Sequence, residues 1–154
     1  MYALNLPSFD AKISKTDRST IIFDRLRRKY VSLTPEEWVR QHFVNYLIIE
    51  KNYPASLIAN EAKINLNSLS RRCDTVVYNS RLEPLVILEY KSPDVKITQE
   101  VFDQIVRYNI VLRVKYLIVS NGLSHYCCEM DYENQTFRYV NEIPDYDQLA
   151  VNDE

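Results

Sequence analysis

The chain has 154 residues, a formal net charge of −2, and is 46% hydrophobic and 26% charged. That length suits one domain, and the composition excludes a disordered chain. No apolar run approaches the roughly 18 residues of a membrane-spanning helix, and MYALNLPSFDAK lacks the charged region and apolar block of a signal peptide, so a cytoplasmic protein is expected.

The three cysteines, Cys73 and the adjacent Cys127 and Cys128, form no CxxC, and the two histidines lie far apart. Adjacent strand residues point to opposite faces, so the pair makes a poor disulfide. A structural zinc site is not expected. Charge is unevenly spread: residues 1–40 carry +3, residues 41–128 carry +2 and residues 129–154 carry −7. Such a body is compatible with a nucleic-acid partner without demanding one.

In chain order, TIIFDRLRRKYVSL (20–33) reads as two short strands around a basic turn, Asp24–Lys29. The turn is either a solvated charged loop or a contact to a phosphate backbone. Thr34-Pro35-Glu36-Glu37 combines an N-cap threonine, proline at the first helical position and glutamate three residues after the cap. The helix it opens should run to about Glu50 and, with a broad apolar stripe (Trp38, Phe43, Tyr46, Leu47, Ile49), pack on more than one side. Pro54 predicts a second, shorter helix over 54–61. Leu66–Leu69, Cys73–Tyr78 and Pro84–Lys91 are predicted strands, the last two joined by NSRLE. LVIL (85–88) does not alternate, so both faces of that strand should be covered. Thr98 caps a predicted helix over 99–112 with a stripe of Val101, Phe102, Ile105, Val106 and Val111 or Leu112. KYLIVSNG (115–122) is a buried strand, and HYCCEMD and QTFRYVNE form a hairpin. The expected architecture is α/β, a mixed central β-sheet flanked by helices, in a single domain over 1–144 with a fraying acidic tail over 145–154.

The chemistry concentrates in one hairpin. Pairing 73–78 with 84–91 antiparallel around residues 81–82 sets Asp74 opposite Glu89, and directly opposed residues share a face. Lys91, two positions on, shares it too. Two facing carboxylates repel unless a cation joins them, and oxygen ligands of this kind suit Mg2+ or Mn2+. A neighbouring lysine can serve a water or stabilise phosphate charge. Taken alone, these three residues are also compatible with a surface salt-bridge ladder. Gln104 and Tyr108 stand four apart on the following helix, on one face. They are either a functional pair or an ordinary helix edge. Arg71 and Arg72, just before Asp74, either clamp phosphate or are a solvated strand entry.

Asp74, a hairpin spacer and Glu89-x-Lys91 resemble the PD-(D/E)xK phosphodiesterase signature, without its leading proline, since Arg72 and Cys73 precede Asp74. Gln104-x-x-x-Tyr108 resembles the QxxxY motif of RecB-like nucleases. TPEEWVRQHFVNYLI, NYP, RRCDTVVYN, LVILEYKSPDVKITQEVFDQIVRYN and YLIVSNGLSHYCC follow in order. Across roughly residues 20–130 they resemble the N-terminal nuclease domain family of type I restriction enzyme R (restriction) subunits. The resemblance implies a restriction-endonuclease-like core and a metal-dependent DNA endonuclease in a restriction-modification system, with Mg2+ as cofactor (Mn2+ as substitute). It implies Asp74 and Glu89 as metal ligands joined by the backbone carbonyl of Tyr90, Lys91 as the catalytic lysine, and Gln104 and Tyr108 as site support. It also implies a further carboxylate from the first helix, for which Glu37 is the candidate, though the helix cap already gives Glu37 a local role. No GxxxxGK[ST] occurs, so no ATP site of that kind is expected here. The expected partners are DNA and a separate translocase or specificity subunit. The competing expectation is a non-catalytic module of the same fold that binds nucleic acid or such a partner.

Overall fold

The computed structural model describes residues 2–152. A three-stranded antiparallel sheet comes first, in order β1 (Ile13–Lys15), β2 (Thr20–Asp24) and β3 (Lys29–Ser32). β2 and β3 flank the basic turn as expected; β1 was not foreseen, and all three of its residues are exposed. The helix α1 (Pro35–Glu50) follows, with the Thr34 side chain accepting from Glu37 N. It is buried on several sides, since Glu37, Val39, Arg40, Gln41, Phe43, Val44 and Leu47 all face inward. Ile49 is the exception to the predicted stripe, at 61% exposed.

The predicted helix over 54–61 is a single 3-10 turn, Ala55–Leu57, and the chain then enters β4 (Ile58–Leu66). Ile58, Asn60, Ala62 and Ile64 are buried in alternation. A polar Asn60 in the inward row masks the strand period in the sequence. The strand expected over Leu66–Leu69 is the turn that ends β4, with Asn67 at φ 57°. It leads into β5 (Leu69–Tyr78), then β6 (Pro84–Tyr90), α2 (Gln99–Ile110), β7 (Tyr116–Ser120), β8 (His125–Asp131) and β9 (Thr136–Val140). The six strands β4 to β9 form one mixed sheet in sequence order, parallel only between β6 and β7. That one parallel pair needs a crossover, and α2 supplies it.

Two apolar layers sandwich this sheet. On one face Val39, Phe43 and Leu47 of α1 pack on Val86, Leu88 and Ile118. On the other, Phe102 and Val106 of α2 pack on Val76, Ile87, Leu117 and Val119. Double coverage explains the unbroken LVIL run. Leu112 is buried and Val111 exposed, which decides the open position of the second stripe. Cys127 and Cys128 fall into opposite layers, and all three thiols are free and buried. The stretch expected to fray instead holds a short helix, α3 (Tyr146–Asn152). Tyr146 and Leu149 are buried, and the Tyr146 hydroxyl donates to Tyr78 O at 2.9 Å, so two apolar anchors hold an acidic segment down. Residues 153–154 of that tail lie outside the described residues. No helix among the described residues is long and apolar enough to cross a membrane.

Candidate active site

The β5–β6 ladder sets Thr75 opposite Leu88 and Val76 opposite Ile87, the predicted register, so Asp74 falls opposite Glu89. Here the backbone ladder gives way to a side chain: Tyr90 N donates to Asp74 Oδ2 at 2.9 Å. Across the other edge of β5, the pairing with β4 skips Glu61, which takes φ 55° between Asn60 and Ala62. Both neighbours of Asp74 are therefore irregular, and the sheet opens at this point.

A cavity of about 660 Å³ occupies the opening. Asp74, Glu89 and Lys91 line it from the sheet, Gln104 and Tyr108 from α2, and Glu37 from α1. The helix–strand order thus gathers in one place residues up to 71 positions apart, from Glu37 to Tyr108. Arg72 also lines the cavity, with its guanidinium 3.8 Å from Glu61. Arg71 stacks its guanidinium over the Tyr108 ring, 4.6 Å from the centroid, and its Nε is buried with no hydrogen-bond partner.

Of the two sheet-borne carboxylates, Asp74 accepts from Tyr90 N, whereas Glu89 is poorly compensated. Glu89 Oε1 is buried and accepts no hydrogen bond. Burial, and then the adjacent Asp74 charge, push the Glu89 carboxyl well above the ordinary carboxylate range, against the opposing pull of Lys91. This donor set fits a hard divalent cation, which would relieve both causes at once. Among the described residues no three His, Cys, Asp or Glu side chains converge. Asp74 and Glu89 are the two carboxylates that face each other in the cavity, a sparse donor pair of the sort in which Mg2+ would keep several waters.

Glu37 lines the cavity but is already saturated. One oxygen accepts from Arg27 at 2.8 Å and Arg40 at 2.7 Å, and the other from Arg40 at 3.0 Å and Gln41 at 2.9 Å. Burial pushes its carboxyl up, but these bonds and the Arg40 charge outweigh it and hold Glu37 below the ordinary value. The residue behaves as an anchor for arginine.

Arg40 is the important residue that sequence reasoning missed. Only 7% exposed, it binds Glu37 through two nitrogens, donates to the Asp74 carbonyl at 2.8 Å and reaches Glu61 at 2.8 Å. Its one legible signal was the i, i+3 spacing from Glu37. Behind the site the Tyr90 hydroxyl donates to Thr75 (3.0 Å), Thr75 to Asn60 (2.8 Å), and Asn60 to Asp24 (3.0 Å). That chain fixes the backbone between Glu89 and Lys91.

A doubly covered mixed sheet with opposed carboxylates and a lysine where two strands part is a restriction-endonuclease-like domain. Residues 35–144 match the family model for the type I restriction enzyme R protein N terminus (HSDR_N), and the chain belongs to that family. The match starts at the first residue of α1 and leaves out the N-terminal sheet. Among solved structures, the chain is similar to a fragment assigned to the HsdR subunit of a type I restriction enzyme from Vibrio vulnificus YJ016, at 19% identity and a TM-score of 0.54. The similarity covers 76% of this chain and 24% of that one, so this chain spans about a quarter of that structure. At that identity the likeness establishes the fold. No curated protein matches.

Two predictions follow from the electrostatics. Burial and the Asp74 charge raise the Glu89 carboxyl above its ordinary value of 4.5, so the folded chain should keep that proton to higher pH than the unfolded chain. Its contribution to stability is therefore complete below that ordinary value and is lost as pH rises toward the elevated folded value. In metal-free buffer, melting temperature should fall between about pH 5 and pH 8 more steeply for wild type than for Glu89→Gln; parallel profiles would contradict the assignment. Arg40→Met should cost about 3–5 kcal/mol by leaving a buried carboxylate short of its partner. Adding Glu37→Gln should restore part of that loss in urea denaturation.

Proposed function

We propose that this chain is the DNA-cleaving domain of a restriction system, a metal-dependent endonuclease that hydrolyses phosphodiester bonds. The observation that carries the reading is the buried, unpartnered Glu89 Oε1 beside Asp74, in a cavity that Lys91 also enters. A structural salt-bridge ladder would leave no such atom without a partner.

Asp74, Glu89 and the Tyr90 carbonyl would hold Mg2+, with Mn2+ as a substitute. The cation, when bound, neutralises phosphate charge and makes water more acidic. Lys91 follows Glu89 by two residues on the same face, so its ammonium can donate to the attacking water or to a phosphate oxygen as negative charge develops. Its backbone is pinned, with Lys91 N donating to Ser120 O at 2.9 Å. Gln104 and Tyr108 are exposed on the α2 side and offer an amide and a hydroxyl to the DNA. Arg72, which lines the cavity, supplies a guanidinium donor for phosphate, and Arg71 stands beside it stacked on Tyr108. Glu37 takes no metal in this reading; it holds Arg40, which holds the Asp74 backbone.

An R protein N terminus belongs to a larger restriction assembly. The proposed partners are accordingly DNA and a translocase or specificity subunit, which chooses where cleavage occurs.

The test is plasmid nicking by the purified chain in Mg2+ and in Mn2+, beside Lys91→Ala. Wild type should nick, and the variant should be slower by about 100-fold or more with an unchanged melting temperature. Equal rates would remove Lys91 from the chemistry. No nicking by wild type in either metal, with or without partner subunits, would support a non-catalytic module instead.

A further inference from the structure

We propose that the N-terminal sheet, and above all its β2–β3 turn, is a docking surface for the phosphate backbone of duplex DNA held at the cavity. The inference rests on the DNA-cleaving reading and adds to it a surface outside the 35–144 family match.

Between residues 12 and 29 six cations are exposed, Lys12, Lys15, Arg18, Arg25, Arg28 and Lys29, against one exposed acid, Asp17. Among the described residues none of the six makes an ion pair. A merely solvated face interleaves both signs. Here the turn's own acid is turned inward and is occupied by Arg27 and the turn backbone. Asp24 is 1% exposed and accepts from Leu26 N (2.8 Å), Arg27 N (3.2 Å), the Arg27 side chain and Asn60 (3.0 Å). Of the six, Arg25, Arg28 and Lys29 are left uncompensated at a turn whose backbone is clamped from inside.

The clamp also sets the turn's location. Arg27 extends from it to Glu37 on the cavity wall at 2.8 Å, and Asn60 ties it to β4. Arg25, Arg28 and Lys29 are thus presented in a fixed frame beside the site, with little ordering left to lose on binding. Arg28 occupies φ 55°, a left-handed position that favours glycine, and still carries a guanidinium. Charge polarity gives the direction. The basic sheet is tied to the β4 edge of the main sheet, whereas residues 129–154, which include β9 at the opposite edge, carry −7. A polyanion at the cavity is drawn toward the first edge and repelled from the second. Contacts to phosphate carry no base information, so the surface should position DNA without choosing a sequence.

The experiment compares the full chain with Arg25→Gln/Arg28→Gln/Lys29→Gln and with a control, Arg81→Gln/Arg113→Gln/Arg138→Gln. The control removes equal charge from exposed positions elsewhere. Binding to a duplex oligonucleotide is measured in EDTA across a salt series, after melting curves show all three chains folded. The turn variant should bind at least about tenfold more weakly near 0.1 M salt, and its slope of log K against log salt should be smaller by about 2.7, near 0.9 per lost phosphate contact. The control should stay within about twofold of wild type. Equal slopes for wild type and the turn variant would overturn this proposal. If wild type still nicks in Mn2+ and Lys91→Ala does not, the nuclease reading survives that failure. Equal losses in turn variant and control would reduce the effect to net charge and also overturn the proposal. Absence of duplex binding by wild type at every salt would also overturn this proposal, while the nuclease reading would stand or fall on the nicking assay.

Discussion

The Arg40 guanidinium is the constraint on which the rest of this structure depends. It is buried between α1 and the sheet, and it bonds at once to a helix carboxylate, a strand carboxylate and the carbonyl of Asp74. A buried cation is tolerable only when its donors are satisfied with good geometry. Satisfying this one goes with three features: Glu37 turns inward, Glu61 takes φ 55° in β4, and the Asp74 carbonyl is held by a side chain. The opening of the sheet follows, because the β4–β5 ladder skips the position opposite Asp74 and the β5–β6 ladder yields to a side-chain bond there.

The two sets of carboxylates around the cavity consequently play opposite roles. Glu37 and Asp24 are surrounded by donors, and both are held below the ordinary value although burial alone would raise them. Glu89 has burial and a like charge against it and a buried oxygen without a donor. The protein compensates the first set internally and leaves Glu89 with a buried oxygen that no donor reaches. That contrast separates scaffold from site more sharply than the residue types do, since all of them are plain carboxylates.

Most of the layered fold was legible because its signals are local or periodic. The Thr34–Pro35 cap, the LVIL run and the hairpin register each depend on neighbours in sequence, and each is found in the structure. The failures have one physical origin: a polar residue in a buried row or an apolar anchor in a polar stretch. Asn60 sits inward in β4 and made a strand read as a helix, because its partners Asp24 and Thr75 are distant in sequence. Tyr146 and Leu149 dock an otherwise acidic segment that looked unstructured. The juxtaposition of Asp74, Glu89 and Lys91 was legible from register; helix spacing put Gln104 and Tyr108 on one face, but only the family resemblance brought that pair to the cluster. Arg40 and Glu61 were not, because their roles arise only where α1 crosses β4 and β5. Glu37 was noticed for the right place in the fold, but of the three side chains that supply its four hydrogen bonds only Arg40 and Gln41 stand at helical spacing from it, and Arg27 arrives from the N-terminal sheet.

The central claim is that Asp74 and Glu89 form a cation site while Glu37 does not. Crystals of the chain soaked in millimolar Mn2+ and measured near the manganese absorption edge test it directly. The account predicts one anomalous peak bridged by the Asp74 and Glu89 carboxylates, absent from Asp74→Asn, with the Arg27–Glu37–Arg40 bonds intact. A featureless map between Asp74 and Glu89, or a peak on Glu37 with its arginines displaced, would contradict it.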